Sequence, residues 1–284
     1  MRAVRHTLVF LSVAVLAVAH ASATHGDLVL IGGGEVESTE AIRKIVELAG
    51  GPQAPIVILP TASEDPESLT WYTRRFVEGG NATNATTLAL KTREDAARPE
   101  FVEAVRNARA IFFGGGDQVR LTDALLDTPV GDAIVAAFER GVVIGGTSAG
   151  TACQSARMIT GEGNFEVIRA GAVELKRGFG FFPGVIVDQH FVARQRQNRL
   201  FTVILEHPDL LGVGIDEDTA VWVKPNGTFE VLGVGTVIVI DAKPATVERR
   251  VGADAVTMLA AQGLKVHVLL HGDRFDVRRR KVIR

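Results

Sequence analysis

The chain of 284 residues is poor in cysteine, tyrosine, tryptophan and methionine, with one, one, two and three of them respectively. The single cysteine, Cys153, excludes an intrachain disulfide, a CxxC redox site and a cysteine-rich zinc site. Charge of one sign is also lacking, since 31 basic residues stand against 33 acidic ones. No strong field is available to hold nucleic acid or an acidic membrane surface. Stability therefore has to come from a packed hydrophobic core.

The N-terminus has the order of residues that is typical of a secretory signal peptide. Arg2 and Arg5 precede an apolar run over residues 8–18, and Ala21-Ser22-Ala23 follows it. A transmembrane helix needs about 20 apolar residues, so the run is too short to span a membrane. We expect cleavage after Ala23, a secreted or periplasmic location and no stable membrane insertion of the mature chain; an uncleaved anchor is the alternative. Cleavage removes two arginines and no acidic residue, which moves the formal net charge from −2 to −4.

From residue 27 onward, short apolar runs alternate with helical patterns. The runs are apolar throughout, which is typical of parallel strands covered by helices on both faces. We therefore predict an α/β fold with a doubly wound, mostly parallel sheet flanked by helices. The predicted strands cover residues 28–31, 56–59, 86–90, 110–113 and 142–144. The predicted helices begin near residue 39, span 66–77 and 99–107, and begin again near 119 and 130.

After about residue 211 the pattern changes to that of an antiparallel β extension. Asn226-Gly227 lies between two apolar runs, which is a strong hairpin signal. A further strand is expected over 237–240, and residues 266–270 with 275–282 are expected to form a terminal β pair. The chain shows no repeat, low-complexity stretch or linker. Residues 24–284 are therefore predicted to form a single domain after a leader over 1–23.

The segment Gly146-Thr147-Ser148-Ala149-Gly150 directly follows the strand over 142–144 and directly precedes a predicted helix. This is G-x-S-x-G in the strand-turn-helix context of a nucleophile elbow. Small neighbours permit the strained turn that holds the serine hydroxyl clear at the helix N-terminus. Ser148 is therefore a candidate nucleophile, and a serine that only caps the helix is the alternative.

A serine nucleophile needs a base, and histidine is the usual one. His190 follows the apolar run 185–187 at the carboxyl end of a predicted strand, where sites in open α/β sheets collect. It is the best-placed candidate among the histidines beyond the leader, although a purely structural histidine is the alternative. Those histidines are His25, His190, His207, His267 and His271.

The base needs a third group, normally a carboxylate, to fix its tautomer. Asp188 is near His190 in the chain, and Glu217 closes a later strand between Asp216 and Asp218. Spacing alone does not choose among these four carboxylates.

Two glycine-rich loops follow predicted strands. Backbone N–H groups of Gly115 and Gly116 are expected to form an oxyanion hole with the N–H of Ala149. The other loop, Gly32-Gly33-Gly34-Glu35, lacks both G-x-G-x-x-G and the P-loop lysine, so nucleotide binding is a minor alternative.

Arg194, Arg196 and Arg199 crowd the start of a predicted helix just after His190. The helix dipole disfavours cations there by roughly 0.3 to 1 kcal/mol each. Such placement favours recognition of a substrate carboxylate, for which the planar guanidinium is suited. A solvated charged face is the alternative.

Taken together, these motifs resemble the cyanophycinase family, serine peptidases that are related to the aspartyl dipeptidases and share the class I glutamine amidotransferase-like fold. The resemblance runs from about residue 27 to the C-terminus. It rests on the order of residues 113–118, 145–150 and 188–191 with the arginines that follow, and it is supported by residues 31–35, 59–63 and 214–217.

The resemblance implies a triad of Ser148 as nucleophile, His190 as general base and Glu217 as the third member. It implies a substrate pocket, no metal or cofactor, and a possible homodimer. The family's substrate is cyanophycin, a poly-aspartate with arginine on each β-carboxyl, cleaved exolytically to β-Asp-Arg dipeptides. The implied pocket residues are Gln118, Asp188, Gln189, Arg194, Arg196 and Arg199.

Three alternatives compete with a cyanophycin-degrading enzyme. An aspartyl or isoaspartyl dipeptidase of the same fold needs fewer carboxylate contacts than this arginine group offers. A non-catalytic binding protein does not need the serine, the histidine and the carboxylate. Glutamine amidotransferase chemistry is disfavoured because the elbow carries Ser148, while Cys153 falls in the following helix.

Overall fold

The computed structural model describes residues 25–34, 39–252 and 255–284. The leader predicted over residues 1–23 lies outside the described residues, and so does Glu35. In chain order the strands are β1 (Leu28–Ile31), β2 (Ile56–Leu59), β3 (Ala85–Thr87), β4 (Ala110–Phe113), β5 (Val143–Thr147), β6 (Arg157–Gly163), β7 (Val173–Arg177), β8 (Val185–Gln189), β9 (Leu211–Ile215), β10 (Thr219–Val223), β11 (Thr228–Gly233), β12 (Val237–Asp241), β13 (Thr246–Val251), β14 (Thr257–Gln262), β15 (Lys265–Leu269), β16 (Arg274–Asp276) and β17 (Lys281–Ile283).

The helices largely follow the predicted positions. A π-helical turn, Arg75–Gly79, continues the second helix, and a 3₁₀ turn, Asp95–Ala97, precedes the third. The α-helices are α1 (Thr39–Ala49), α2 (Ser68–Arg74), α3 (Pro99–Asn107), α4 (Gln118–Leu125), α5 (Pro129–Glu139), α6 (Ala149–Ala152) and α7 (Gln197–Glu206).

The parallel half of the larger sheet has the order β1-β5-β4-β2-β3. Side chains alternate between its two faces, so Leu28 and Leu30 join one core cluster while Val29 and Ile31 join another. Helices α1 and α2 cover one face, and α3 to α6 cover the other. Because both faces are buried, the strands are apolar throughout, and the predicted doubly wound sheet is confirmed.

The larger sheet continues with antiparallel strands in the order β1-β10-β11-β16-β17. The predicted hairpin is present as β10 and β11, with Gly227 at a φ of +81° in its turn. The antiparallel C-terminal extension is therefore confirmed.

A second sheet, with the order β15-β12-β9-β8, packs over the same core. Only β8 and β9 are parallel in it. The expected pairing of residues 266–270 with 275–282 is wrong, because β15 pairs with β12 while β16 pairs with β11 and β17. Leu269 and Phe275 are both buried in the core that the two sheets share, so the chain crosses between the sheets at the intervening turn.

Two hairpins were not predicted: β6 with β7, and β13 with β14. Their strands carry many exposed polar residues, and this weakens the apolar signal on which the prediction depends.

Within the part of the chain that the structure describes, no helix has the length and apolarity to cross a membrane.

The centre of the larger sheet is expected to dominate stability. Ile144 in β5 is fully buried, so Ile144→Ala should lower the free energy of unfolding by about 2 to 5 kcal/mol, through lost burial and a cavity. Val135 on α5 is 37% exposed, and Val135→Ala should cost less than about 1 kcal/mol. Urea unfolding followed by circular dichroism measures both. Equal midpoints for the two variants would contradict the assignment of the core.

Candidate active site

Ser148 lies at the turn between β5 and α6, with φ +51° and ψ −112°. A non-glycine residue with positive φ is uncommon and marks a strained position. A Cβ on Gly146 or on Gly150 would overlap a backbone carbonyl oxygen, so the elbow tolerates only glycine at these two positions. Helix α6 is a single turn, shorter than expected, and Cys153 directly follows it.

His190 follows β8 and crosses from the smaller sheet to the larger one. Its backbone N–H donates to the carbonyl oxygen of Gly32 at 2.7 Å, just beyond β1. Its ring lies against Gly33, where φ is +109° and a Cβ would overlap the imidazole. From this position Nε2 lies 2.8 Å from Oγ of Ser148.

Glu217 completes the arrangement, since its Oε1 lies 2.6 Å from Nδ1 of His190. A carboxylate only accepts hydrogen bonds, so Nδ1 carries the proton and Nε2 is left to accept from Ser148. The neighbouring acids act elsewhere. Asp216 Oδ1 accepts from the N–H groups of Val192 and Ala193 at 3.1 and 2.9 Å, and Asp188 faces away into the core.

Burial is the largest influence on His190 and lowers the pKa of its imidazole below the ordinary value of 6.5. The hydrogen bond to Glu217 opposes this shift, and the charges of Arg194 and Arg196 add to it. His190 is therefore a neutral base at pH 7, as general-base catalysis requires.

Ser148 lies between two cavities. The charged cavity, of about 460 Å³, is lined by both basic and acidic side chains. The aromatic cavity, of about 160 Å³, is lined by His190 and mainly by apolar and aromatic groups. The side chains that give the charged cavity its character are Gln118, Glu162, Glu174, Lys176, Gln189, Arg194, Arg196 and Arg199.

The three arginines have different environments. Arg199, in the first turn of α7, is buried and binds both carboxylate oxygens of Asp188. Arg196 donates to the backbone oxygen and to Oε1 of Gln189, at 2.9 and 2.6 Å. Arg194 is the most exposed of the three, with its Nε 3.7 Å from Oε1 of Glu217. Arg196 is the N-cap residue of α7 and Arg194 lies two residues before it, so the arginines stand at the start of the helix as expected.

Asp188 is the exception among the six predicted pocket residues. The other five line the charged cavity, but the Asp188 side chain is completely buried and meets Arg199 instead. A buried carboxylate needs a partner of opposite charge, and Arg199 supplies it with two hydrogen bonds. The expectation that Asp188 contacts substrate is therefore corrected: it holds Arg199. Gln118 is oriented by its own amide, which donates to the carbonyl oxygen of Ile159 at 3.0 Å.

One of the three backbone N–H groups expected to form the oxyanion hole already has a partner within the protein. The N–H of Gly115 already donates to the hydroxyl of Tyr72 at 2.6 Å. Gly116 has a φ of +134° and packs against Ala62, and Ala149 is buried at the start of α6. The roles of the Gly116 and Ala149 N–H groups stay predictions.

Sequence reasoning missed Tyr72, Glu162 and Glu174. Glu162 and Glu174 lie on the unpredicted hairpin of β6 and β7, where Thr160 donates to Glu174 Oε2 at 2.7 Å. Tyr72 lies on α2, 43 residues before Gly115, and only its rarity in the chain could have drawn attention to it.

Cys153 is fully buried, and burial raises the pKa of its thiol. Its Sγ lies 3.3 Å from the carbonyl oxygen of Gly150. A buried thiol that stays protonated is not a nucleophile, in agreement with the choice of Ser148.

In the described ranges no three histidine, cysteine or acidic side chains come together as a metal-binding group. The expectation that no metal or cofactor is needed stays a prediction.

Comparison with known proteins decides the family. The model of peptidase family S51 matches residues 28–231. The chain belongs to peptidase family S51. It is 36% identical to a cyanophycinase of Nostoc sp. over 92% of this chain and 89% of that protein, and 37% identical to one of Geminocystis herdmanii over 88% and 93%. It also resembles the crystal structure of a peptidase from an acI-B1 Actinobacterium, with a TM-score of 0.65, 25% identity, and coverage of 88% of this chain and 98% of that one. The protein is thus a serine peptidase.

The environment of His190 in this S51 peptidase predicts how its pKa responds to substitution. The wild-type pKa should lie below 6.5, Arg194→Gln should raise it by removing a nearby cation, and Glu217→Gln should lower it further by removing the opposing carboxylate. Histidine-selective ¹⁵N NMR titration measures the pKa, with the signal assigned by His190→Gln. His207, at the C-terminal end of α7 and in contact with Arg157, serves as an internal control. A pKa that Arg194→Gln leaves unchanged or lowers would contradict the electrostatic account.

Proposed function

We propose that this peptidase hydrolyses cyanophycin exolytically and releases β-Asp-Arg dipeptides through an acyl-enzyme on Ser148. The observation that carries the proposal is the chain of hydrogen bonds Ser148–His190–Glu217, at 2.8 and 2.6 Å, at the edge of a cavity that presents both arginine and glutamate side chains. The cyanophycinases at 36 and 37% identity support the same substrate.

We infer the mechanism from the positions of the three side chains. Nε2 of His190 accepts the Ser148 proton as Oγ attacks the backbone carbonyl carbon, while Glu217 stabilises the imidazolium that forms. Collapse of the tetrahedral intermediate breaks the bond to the amide nitrogen, which takes the proton from His190. A water molecule, deprotonated by the same histidine, then hydrolyses the acyl-enzyme and restores Ser148.

The charged cavity suits a substrate unit that carries both signs of charge. Arg194 and Arg196 form a cationic wall that can meet a carboxylate of the aspartate backbone. Burial lowers the pKa of Arg196 to about 10, which still keeps its guanidinium charged at pH 7. Glu162 and Glu174 face the same cavity and are the proposed partners of the substrate guanidinium. A β-Asp-Arg unit would satisfy both walls.

An aspartyl or isoaspartyl dipeptidase remains the competing function. Such a substrate uses the cationic wall but gives Glu162 and Glu174 no guanidinium to bind.

We also propose that residues 1–23 are removed and that the enzyme acts outside the cytoplasm, as the composition of the leader supports. N-terminal sequencing of the exported protein tests this proposal. The homodimer implied by the family resemblance stays a prediction for sedimentation analysis.

Substrate assignment is tested with the purified mature protein on cyanophycin and, separately, on α- and β-aspartyl dipeptides. We expect release of β-Asp-Arg from the polymer, and loss of at least about 10⁴-fold in kcat for Ser148→Ala, because no other group in the site replaces the nucleophile. Mass spectrometry of the products over time distinguishes dipeptide release from internal cleavage. Hydrolysis of the dipeptides but not of the polymer would favour the dipeptidase. Equal rates for wild type and Ser148→Ala would rule out both enzymatic functions.

Glu162 and Glu174 form an acidic wall of the charged cavity, and this wall should discriminate between charged and neutral side chains on the substrate. Glu162→Gln and Glu174→Gln should each raise KM for cyanophycin about two- to fivefold, since exposed ion pairs contribute up to ~1 kcal/mol. For a polymer with citrulline in place of arginine, neither substitution should change KM. Glu166→Gln, on the connection between β6 and β7 and outside the cavity, is the matched control. Equal effects on the arginine and citrulline polymers would argue against this wall as the guanidinium site.

A further inference from the structure

Tyr72, the only tyrosine in the chain, lines the aromatic cavity together with Gly115, Ser148 and His190. Its hydroxyl accepts a hydrogen bond from the backbone N–H of Gly115 at 2.6 Å. That N–H is one of those expected to stabilise the oxyanion, so its attachment to a side chain needs an explanation.

The phenol is held firmly in place. Tyr72 is only 8% exposed, and its ring packs against Phe112 and edge-on against Trp71, with centroid distances of 5.9 and 4.7 Å. The ring also lies over Gly114, where a Cβ would come within 2.8 Å of Cε2. Because the ring fits only over a glycine and is packed on several sides, the hydroxyl stays on the Gly115 N–H.

The hydroxyl is close to the nucleophile. A Cβ placed on Gly115 would lie 3.5 Å from the Tyr72 oxygen and 3.4 Å from Cβ of Ser148, so Gly115 separates the two side chains by the width of a single backbone position. A phenol that accepts one hydrogen bond still has its own proton to donate. Within residues 25–34, 39–252 and 255–284, no side chain or carbonyl group accepts that proton.

We propose that Tyr72 is a catalytic residue whose hydroxyl donates a hydrogen bond to the oxyanion, together with the N–H of Ala149. In this arrangement the N–H of Gly115 acts through Tyr72, because donation to the phenol oxygen polarises the phenol's own O–H bond. The proposal rests on acyl transfer at Ser148, as proposed above, and adds a residue to it.

The step conserves the phenol proton. When Oγ of Ser148 bonds to the carbonyl carbon, the π-electron pair moves to the carbonyl oxygen, and Tyr72 donates a hydrogen bond to it without transferring the proton. On collapse the electron pair returns, the bond to the amide nitrogen breaks, and His190 supplies the proton for the leaving amine. Donors aimed at the developing oxyanion typically contribute 10²- to 10³-fold to kcat.

The first test is Tyr72→Phe, which keeps the ring and removes the hydroxyl. We expect kcat to fall about 10²- to 10³-fold with KM within threefold of wild type, since the bond is strong only in the transition state. Thermal unfolding by circular dichroism checks that the variant folds. A kcat within threefold of wild type, or higher, would overturn the proposal and return the role to a direct contact from Gly115 N–H.

The second test raises the acidity of the Tyr72 phenol and leaves its packing nearly unchanged. Since the chain has one tyrosine, expression with 3-fluorotyrosine and a tyrosine-free tag modifies Tyr72 alone. Fluorine makes the phenol more acidic, and a phenolate cannot donate, so the alkaline limb of kcat should move to lower pH. The Tyr72→Phe enzyme expressed in the same medium is the control. An alkaline limb that does not move would overturn the proposal.

The alkaline limb can be assigned because few titratable groups face this phenol. Burial raises the pKa of Tyr72, and the Gly115 hydrogen bond opposes the shift. Among the described residues, the titratable side chains that line the same cavity with Tyr72 are His190, already neutral above pH 7, and the guanidinium of Arg75.

A third measurement separates this proposal from the choice of substrate. A fluorophosphonate probe phosphonylates Ser148: Oγ forms a bond to phosphorus, negative charge develops on the phosphoryl oxygen, and fluoride leaves. Intact mass spectrometry follows this reaction. A wild type that reacts with the probe but not with cyanophycin would refute the substrate and leave Tyr72 testable, with an expected fall in the reaction rate of at least tenfold for Tyr72→Phe. Equal rates would overturn the role of Tyr72, and no reaction in wild type would overturn both proposals.

Discussion

The hydrogen bond from the N–H of His190 to the carbonyl oxygen of Gly32, at 2.7 Å, joins the two sheets where the triad is assembled. Ser148 comes from the larger sheet, while His190 and Glu217 follow strands β8 and β9 of the smaller one. The catalytic distances therefore depend on how the sheets are aligned. Gly33 permits the close approach of the His190 ring. The positive φ angles at Ser148 and His190 show that the backbone is strained on both sides of the contact between the sheets.

The buried pair of Asp188 and Arg199 plays a corresponding role for the charged cavity. Arg199 occupies a helix position that the dipole disfavours, and the carboxylate of Asp188 compensates for it. Removing one member of such a pair typically costs about 3 to 5 kcal/mol, because it leaves an unpaired buried charge. The pair also fixes Gln189, whose side-chain oxygen accepts from both Arg196 and Arg199. Arg196, which is only partly buried, is thus oriented by a buried, neutralised support.

The sequence predicted the parts of the molecule that are local in the chain. Parallel strands have continuous apolar runs, and the elbow around Ser148 is a contiguous motif, so both could be identified. Glu217 could be chosen only through the family resemblance, since its neighbours Asp216 and Asp218 have the same charge and differ only in geometry. The partner of β15 and the contact of Tyr72 with Gly115 depend on distant segments, and neither leaves a periodic pattern. Asp188 was misassigned because burial is invisible in a list of charged residues.

A chain with almost balanced charge can still build a strongly polarised site. Burial lowers the pKa of His190, the arginines beside it add to this shift, and Glu217 opposes it, so the free enzyme holds a neutral base beside a cationic wall. In the proposed function, a substrate carboxylate bound by Arg194 and Arg196 offsets those two charges. The same electrostatics would then favour the imidazolium that forms when Ser148 gives up its proton. On that proposal, binding of an anionic substrate and activation of the base are coupled through the arginines, which would explain why cations lie so close to a histidine that has to become one.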